Sequence, residues 1–406
     1  MDENSKVSFD SKSIQEILTL RYDTTQTTKL QKLTSKHFIQ QNEKVSIDKI
    51  EKLISDDIVS KINPEKTKLS LALSGGIDST LVLALIRKQF PKIPIETISI
   101  KFADSNDESK IASRTAEHFE TIHSIIYLEN FLQELPKAIH ISEKPFWDLH
   151  WYYVVRKANS FSNCLVSGDG GDELFGGYSF RYSKFLTLVN ETSSPVEKVK
   201  AYLQCHERDR VPDQQNIFKE KLKFSWNSIY DVLLPYFDNT LSLLDQVFLA
   251  DYNGKLLYNF SPINSKLCDY FKMDSVAPIL SDNLIDYSTH VSYNQKYDQE
   301  NNVGKIPLRM LLKNLDAEKF VSTRKLGFSM NTLNLWKTYG QKICKSYLTE
   351  ARIVQDGLIN NDWVKKYIDT PNLDVNYVNK FLGLLAFEIW YRLFITKEMK
   401  PSEQLE

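Results

Sequence analysis

A glycine-rich turn near residue 75 has the residue types that hold phosphate. The segment "SGGIDS" follows a short apolar run, and two hydroxyls, Ser74 and Ser79, flank Gly75 and Gly76. The glycines let backbone amides approach an anion with no Cβ in the way, and a following helix directs its positive end to the same point. Asp78 would repel a phosphate unless a cation stood between them, so the turn predicts phosphate together with magnesium. The structural alternative is a strand-to-helix turn in which Asp78 caps the helix.

A second glycine-rich turn, "SGDGGDELFGGY", lies about a hundred residues further on and carries Asp169, Asp172 and Glu173. Three carboxylates in five residues repel one another at neutral pH unless a cation compensates them. Asp78 and Asp172 come from different turns, and together they could hold magnesium on a pyrophosphate group. The structural alternative here is a solvated acidic loop.

The elements around these turns alternate in type. Four short apolar runs are predicted strands, and helical patterns separate them. The predicted strands are "KLSLALS" (68–74), "IETISIKF" (95–102), "TIHSIIYL" (121–128) and "NCLVSG" (163–168). This alternation predicts an α/β fold with a doubly wound parallel sheet. Ligands of such sheets bind at the carboxyl ends of the strands, where both turns lie, so we expect the turns to share a site.

The chain divides into three predicted parts. Residues 1–45 form an N-terminal extension with a helix over 14–22 and a hairpin over 28–40. Residues 46–190 form the α/β core that carries both turns. Residues 191–406 are read as helical, with no clear strand, and are expected to pack onto the sheet rather than to form a detached module.

Composition excludes several classes of function. The 406 residues contain 51 basic and 52 acidic residues, which gives no electrostatic case for a nucleic acid partner. The four cysteines are scattered, with no CxxC pair for zinc or dithiol chemistry. The N-terminus lacks the apolar core of a signal peptide, and the most apolar helix candidate, 381–395, is too short to span a bilayer. We therefore expect a cytoplasmic protein without a membrane partner.

The first turn resembles the pyrophosphate-binding loop of the N-type ATP pyrophosphatases, or PP-loop enzymes, which split ATP between the α and β phosphates. Together, the two turns resemble the synthetase domain of the asparagine synthetase family. Further landmarks follow in the expected order: "LRY" (20–22), "KPFWD" (144–148), "RKLGFSM" (324–330) and "FEIWYRLF" (387–394). The resemblance implies an ATP-binding core of the adenine nucleotide α-hydrolase type, completed by a helical C-terminal half.

The resemblance also implies roles for the matching residues. Magnesium would be bound by Asp78 and Asp172. The implied ATP-binding residues are Leu73, Ser74, Gly75, Gly76, Asp78, Ser79, Ile100, Ser167 and Gly168. The implied catalytic residues are Lys325, Asp169 and Lys305, with Lys325 at the position of the family's catalytic lysine. A cation is needed there because negative charge builds on the α-phosphate and then on the tetrahedral intermediate.

The sequence departs from the family pattern at two places. Glutamine-using members begin with a glutaminase domain whose catalytic cysteine follows the initiator methionine, whereas Asp2 follows Met1 here. We therefore expect free ammonia, an amine on the substrate or a separate glutaminase subunit as the nitrogen source. The family's E-x-R-x-PFLD segment corresponds best to "DSVAPILS", where Val276 stands for the arginine and Ser281 for the last aspartate. The preceding landmark is blurred as "KLCDYFKM" (266–273), and Lys101 replaces a glycine.

These features favour an ATP-dependent ligase that adenylates a carboxylate and transfers ammonia or an amine to it, releasing AMP and pyrophosphate. Aspartate, giving asparagine, is the predicted acid. Amidation or cyclisation of a different acid in a small-molecule or peptide pathway is the first alternative. A tRNA-thiolating PP-loop enzyme and a non-catalytic nucleotide-binding subunit that partners a glutaminase are the others, and homo-oligomerisation stays open.

Overall fold

The computed structural model describes residues 7–38, 44–102, 109–321 and 331–406. Within them the strands form one parallel sheet in the order β3-β2-β1-β4-β5. The strands are β1 (Leu69–Ala72), β2 (Ile95–Phe102), β3 (Ile122–Leu128), β4 (Cys164–Val166) and β5 (Asp274–Val276). The central strand β1 pairs with β2 on one side and β4 on the other, with Leu69 opposite both Ile95 and Cys164. Because β1 and β4 are parallel neighbours, the turns that follow them lie at the same edge of the sheet.

Helices cover the sheet and make up most of the second half of the chain. In the described residues they are α1 (Ser11–Leu20), α2 (Ile47–Lys61), α3 (Ile77–Gln89), α4 (Ser109–His118), α5 (Leu135–Ser142), α6 (Trp151–Asn159), α7 (Gly171–Phe175), α8 (Ser179–Leu188), α9 (Pro195–Cys205), α10 (Trp226–Phe237), α11 (Leu243–Asp251), α12 (Ser261–Tyr270), α13 (Asp282–His290), α14 (Ile306–Asn314), α15 (Thr332–Leu335), α16 (Gln341–Leu348), α17 (Arg352–Gln355), α18 (Asn361–Ile368) and α19 (Val375–Phe394). A π-helical segment, Tyr252–Phe260, joins α11 to α12.

The sheet has a hydrophobic core on each face. Leu71 on β1 packs in one core with residues of α2 and α3. Its neighbour Ala72 packs in the other core with Ile98 of β2 and Leu165 of β4, together with residues of α5, α6 and α19. Successive residues of a strand point to opposite faces, so both faces of β1 are covered. This arrangement confirms the predicted doubly wound α/β fold.

Helix α3 positions the first turn. It begins directly after Gly76, and its residues 79–86 are all buried, so the helix is fixed against the sheet along two turns. Arg87 and Lys88 lie in its last turn, where positive charge interacts favourably with the helix dipole. The first turn and the helix that follows it therefore form one rigid unit.

Two sequence predictions differ from the structure. Residues 28–38, the described part of the predicted hairpin, contain no strand, and their one regular element is a 3-10 turn at Ser35–His37. The backbone of Leu33 bonds instead to the side chain of Asn253, whose Oδ1 accepts from the Leu33 N–H at 3.0 Å and whose Nδ2 donates to the Leu33 carbonyl at 2.9 Å. The second difference is β5, a strand contributed by the part of the chain that was predicted to be helical throughout.

No helix within the described ranges has the length and apolar character needed to cross a lipid bilayer.

Candidate active site

The two glycine-rich turns are in direct contact at the carboxyl edge of the sheet. A Cβ added to Gly168 would lie 2.7 Å from the backbone carbon of Asp78 and 2.7 Å from the backbone nitrogen of Ser79. A Cβ added to Gly171 would lie 2.3 Å from Oδ1 of Asp78. Both distances are too short for real atoms, so this close approach requires glycine at both positions.

A cavity of about 290 Å³ opens beside the two turns. Seven of the predicted site residues line it: Ser74, Asp78, Ser79, Ser167, Gly168, Asp169 and Asp172. The structure thus brings together, in one cavity, residues from two turns that are separated by about ninety positions in the chain. Their roles toward ATP and magnesium remain predictions.

Hydrogen bonds between its own residues hold the first turn in shape. The Ser74 N–H donates to Oγ of Ser79 at 3.2 Å, and the Gly76 N–H donates to Oγ of Ser74 at 3.3 Å. Gly75 has a φ of 72°, in the left-handed region that favours glycine. Gly76 then forms the N-cap of α3, so the turn leads directly into the amino end of that helix. An anion in the cavity would lie near the positive end of the helix dipole.

Lys305 lies between the two carboxylates that were predicted to bind magnesium. Its Nζ is 2.5 Å from Oδ2 of Asp78 and 2.9 Å from Oδ1 of Asp172. Burial alone would lower the pKa of Lys305, but the charges of Asp172 and Asp78 outweigh it and raise the pKa above its usual value. Lys305 is therefore charged at neutral pH. The geometry shows that these two carboxylates converge on a single cation position.

Asp169 lines the cavity, and two hydrogen bonds hold its carboxylate. Ser167 Oγ and Asn264 Nδ2 both donate to its Oδ2, each at 2.8 Å. Burial raises the pKa of Asp169, and these two hydrogen bonds counteract the rise. Because both bonds end on Oδ2, Oδ1 has no hydrogen-bond donor among the described residues and is available to a ligand.

Glu173 is the third carboxylate of the second turn and was given no role by the sequence. It is buried, and Tyr178 donates to its Oε1 at 2.5 Å. Burial, followed by the charge of Asp172, raises the pKa of Glu173 to about 7. The second turn thus contains carboxyl groups of unequal acidity, which reduces the repulsion that its sequence suggests.

Two of the predicted site residues, Leu73 and Ile100, lie in the core and do not line the cavity. Leu73 is fully buried in the core; its N–H donates to the Ile98 carbonyl at 2.8 Å, and its carbonyl accepts from Ser99 Oγ at 2.6 Å. Ile100 is buried in β2. Lys325 lies outside the described residues, as does the rest of "RKLGFSM". The implied roles of these residues also stay predictions.

A buried ion-pair cluster joins two of the sequence landmarks beneath the cavity. The guanidinium of Arg21, in "LRY", contacts the carboxylate of Asp148, in "KPFWD", and donates to Oδ1 of Asp209 at 3.1 Å. Burial would lower the pKa of Arg21, but Asp148 and Asp209 raise it above its ordinary value. Asp148 itself lines the cavity. Neither residue was predicted to have a role, since nothing in the sequence indicates that these two segments meet.

One wall of the cavity is formed by one face of the helical segment 252–270. The residues of this face that line the cavity are Leu256, Asn259, Phe260, Ile263 and Asn264. Their spacing of three and four positions is that of one helical face, a pattern that is visible in the sequence but from which no site residue was predicted.

Residues of the altered family segment at 274–281 form part of the sheet and cap a helix. Val276 ends β5 with its side chain buried, and its carbonyl accepts from the Ser167 N–H at 2.9 Å. Ser281 caps α13, where its Oγ accepts from the Leu284 N–H. Neither residue lines the cavity.

The carboxylates of Asp78 and Asp172 are chemically suited to magnesium. Magnesium prefers oxygen ligands and is commonly held by one or two carboxylates together with substrate phosphates. In the part of the chain that the structure describes, no group of three or more His, Cys, Asp or Glu residues could hold a metal ion. An acidic pair with room for phosphate beside it fits the magnesium of a nucleotide better than a metal site built from protein ligands alone.

Sequence similarity to known proteins identifies the family of this chain. The family model described as asparagine synthase matches residues 56–392. The chain belongs to the asparagine synthase family. Asparagine synthetase [glutamine-hydrolyzing] 1 of Bacillus subtilis (strain 168) is 24% identical over 393 residues, covering 88% of this chain and 61% of the relative. Putative asparagine synthetase [glutamine-hydrolyzing] 2 of Methanocaldococcus jannaschii is 31% identical over 173 residues, covering 39% of this chain and 33% of the relative. The predicted family membership is confirmed, and the chain spans less than two thirds of the length of these relatives.

Solved structures give a weaker likeness. An NH3-dependent NAD synthetase from Campylobacter jejuni is 16% identical, with 51% of this chain and 97% of that chain covered and a TM-score of 0.26. An NMN synthetase from Francisella tularensis is 14% identical, with 56% and 93% covered and a TM-score of 0.26. Scores this low carry no argument about this chain.

Proposed function

We propose that the protein is an ATP-dependent amide-forming ligase of the asparagine synthetase type. The observation that carries the proposal is the convergence of Asp78 and Asp172, from two touching glycine-rich turns, on one cation position beside an open cavity. Such an arrangement suits the magnesium-bound pyrophosphate part of ATP. Membership of the asparagine synthase family supports ATP as the energy source.

In this proposal the first turn receives the β and γ phosphates. The amides next to Gly75 and Gly76, the hydroxyls of Ser74 and Ser79, and the amino end of α3 all favour negative charge there. Magnesium held by Asp78 and Asp172 would offset the charge that develops on pyrophosphate as it leaves.

The chemistry then takes two steps. A carboxylate oxygen of the acid attacks the α-phosphorus of ATP, the α–β bond breaks, and pyrophosphate leaves. An amine or ammonia attacks the acyl carbon, the bond to AMP breaks, and the amide forms with loss of one proton from nitrogen. Asp169, which lines the cavity and whose two hydrogen bonds both end on Oδ2, is proposed to hold the amine and accept that proton. Lys325 is proposed to offset the charge on the α-phosphate, as the family resemblance implies.

The acid and the nitrogen source are the finer parts of the proposal. Aspartate is the acid that the family resemblance predicts, and an acid other than aspartate is the alternative that the altered 266–281 segment leaves open. Ammonia could come free, from an amine on the substrate or from a separate glutaminase. The four cysteines all lie in the described residues and none lines the cavity, which counts against the tRNA-thiolating alternative.

Pyrophosphate release tests this proposal. The protein is incubated with ATP, magnesium and one candidate acid, with and without ammonia, and pyrophosphate is measured. We expect release that depends on the acid and is abolished by Asp172→Asn. Asp369→Asn, which removes an exposed carboxylate paired with Lys345, is the matched control and should leave release unchanged. ATP binding without acid-dependent release would favour a non-catalytic subunit instead.

A further inference from the structure

One wall of the cavity, formed by the helical segment 252–270, includes apolar side chains. Leu256, Phe260 and Ile263 lie at positions i, i+4 and i+7 of the helical segment 252–270 and line the cavity. Phe260 is 37% exposed, whereas Leu256 and Ile263 are buried, so the exposed apolar surface of this face belongs chiefly to Phe260. Large exposed apolar side chains in a concave site indicate contact with an apolar ligand.

The polar side chains on the same face are already engaged. Asn259 Nδ2 donates to the backbone carbonyl of Arg21 at 2.6 Å. Asn264 Nδ2 donates to Oδ2 of Asp169 at 2.8 Å. Each of these bonds uses one of the two N–H groups of its amide, and the rest of this face consists of apolar side chains.

The charge of the cavity also opposes a second carboxylate. Among the described residues, no lysine or arginine lines it. The carboxylates of Asp148 and Asp169 do, and the one cation in contact with Asp148 there, Arg21, also pairs with Asp209. Val276, at the position where the family resemblance expects an arginine, has its side chain buried away from the cavity. A second carboxylate on the ligand would lie near the carboxylates of Asp148 and Asp169, and the described lining offers it no lysine or arginine, which is unfavourable in a partly desolvated site.

We propose that the acid adenylated at this site has a single carboxylate and an apolar body, and that the body lies against Leu256, Phe260 and Ile263. This inference rests on the proposed ligase function and names its substrate class. A dicarboxylate such as aspartate would leave its second carboxylate among Asp148 and Asp169, whereas an apolar body would bury the exposed ring of Phe260.

A comparison of acids tests the inference directly. Pyrophosphate release with magnesium, ATP and ammonia is measured for hexanoate and 3-phenylpropanoate, which are apolar, and for aspartate and succinate, which carry two carboxylates. We expect kcat/KM for the better apolar acid to exceed that for aspartate by at least about tenfold, the scale at which apolar pockets discriminate.

Variants of Phe260 separate this wall from the rest of the site. Phe260→Ala should lower kcat/KM for 3-phenylpropanoate about tenfold through KM, with KM for ATP unchanged. Phe180→Ala is the matched control, since Phe180 is 57% exposed and does not line the cavity, and it should change neither constant. Phe260→Arg should lower the use of 3-phenylpropanoate and raise that of succinate, because it supplies the missing cation.

The possible results distinguish the proposed ligase function from the proposed class of acid. Release driven by aspartate or succinate in preference to the apolar acids would leave the proposed ligase standing and overturn this inference. An effect of Phe260→Ala no larger than that of Phe180→Ala would also overturn it. Absence of acid-dependent release with all four acids would overturn this inference, whereas the ligase itself is overturned by ATP binding with no release for any candidate acid.

Discussion

Replacing Lys305 by methionine tests the central electrostatic feature of the site. The ammonium lies 2.5 Å from Asp78 and 2.9 Å from Asp172, and the three side chains are only 11%, 17% and 24% exposed. Lys305→Met keeps most of the side-chain volume and removes the charge, so two carboxylates are left facing each other with little water to separate them. The variant should therefore be less stable.

The size of the effect follows from burial. Removing one partner of a buried ion pair lowers the free energy of unfolding by about 3–5 kcal/mol. Some solvent reaches both carboxylates, so we expect the lower end, about 3 kcal/mol. Lys345→Met is the control: Lys345 is 2.8 Å from Asp369, a similar distance, but the side chains are 55% and 63% exposed. Exposed pairs of this kind contribute below about 1 kcal/mol.

The assay is urea unfolding followed by tryptophan fluorescence, with and without magnesium and without ATP. Magnesium that binds only the folded protein stabilises it, by about 2.7 kcal/mol at a concentration one hundred times its dissociation constant. Because Lys305→Met leaves two carboxylates open to a cation, magnesium should stabilise this variant more than the unmodified protein or Lys345→Met. Equal stability of the two lysine variants, or no selective effect of magnesium, would refute the assignment of one cation position to Asp78 and Asp172.

Three further predictions follow from individual contacts. Gly168→Ala should abolish ATP binding in equilibrium dialysis, because its Cβ would push the two turns apart. Gly383→Ala is the control: its Cβ would meet its nearest neighbour at 3.4 Å, so this variant should bind ATP normally. Lys380 is buried and its pKa is lowered to about 7, so between about pH 7 and 10 the unfolded chain binds more protons than the folded protein. The free energy of unfolding should therefore rise with pH in this range relative to Lys380→Met, by about 1.4 kcal/mol per pH unit at most. Parallel pH profiles of urea unfolding for the two proteins would contradict this. Asn264→Leu removes a hydrogen bond that lowers the pKa of Asp169, so the acidic limb of the kcat/KM pH profile should move to higher pH. An unmoved limb would exclude Asp169 as the titrating group.

The sequence was sufficient where short-range patterns decide the structure. Strands β1 to β4 and helices α2, α3 and α4 follow from apolar runs, helical spacing and the glycines that end them. The meeting of the two turns also follows, because the carboxyl ends of parallel strands share an edge and only glycine permits the approach seen at Gly168.

The sequence was insufficient where distant residues meet. The contact of Arg21 with Asp148 joins positions 127 apart, and the position of Lys305 between two carboxylates depends on how α14 packs against α3. Strand β5 has only three residues, two of them exposed, so it lacks the apolar run by which strands are recognised. The hairpin predicted over 28–40 is absent from residues 28–38, its described part, where Asn253, far along the chain, bonds the backbone of Leu33.

The fate of a carboxylate oxygen tests the proposed reaction most directly. The acid is labelled with ¹⁸O in its carboxylate, the reaction is run with magnesium, ATP and ammonia, and the phosphorus-containing products are separated and analysed by mass spectrometry. Attack of the carboxylate on the α-phosphorus predicts one ¹⁸O atom in AMP and none in pyrophosphate. Formation of ADP with ¹⁸O in inorganic phosphate, or of AMP without label, would contradict adenylation at the two glycine-rich turns.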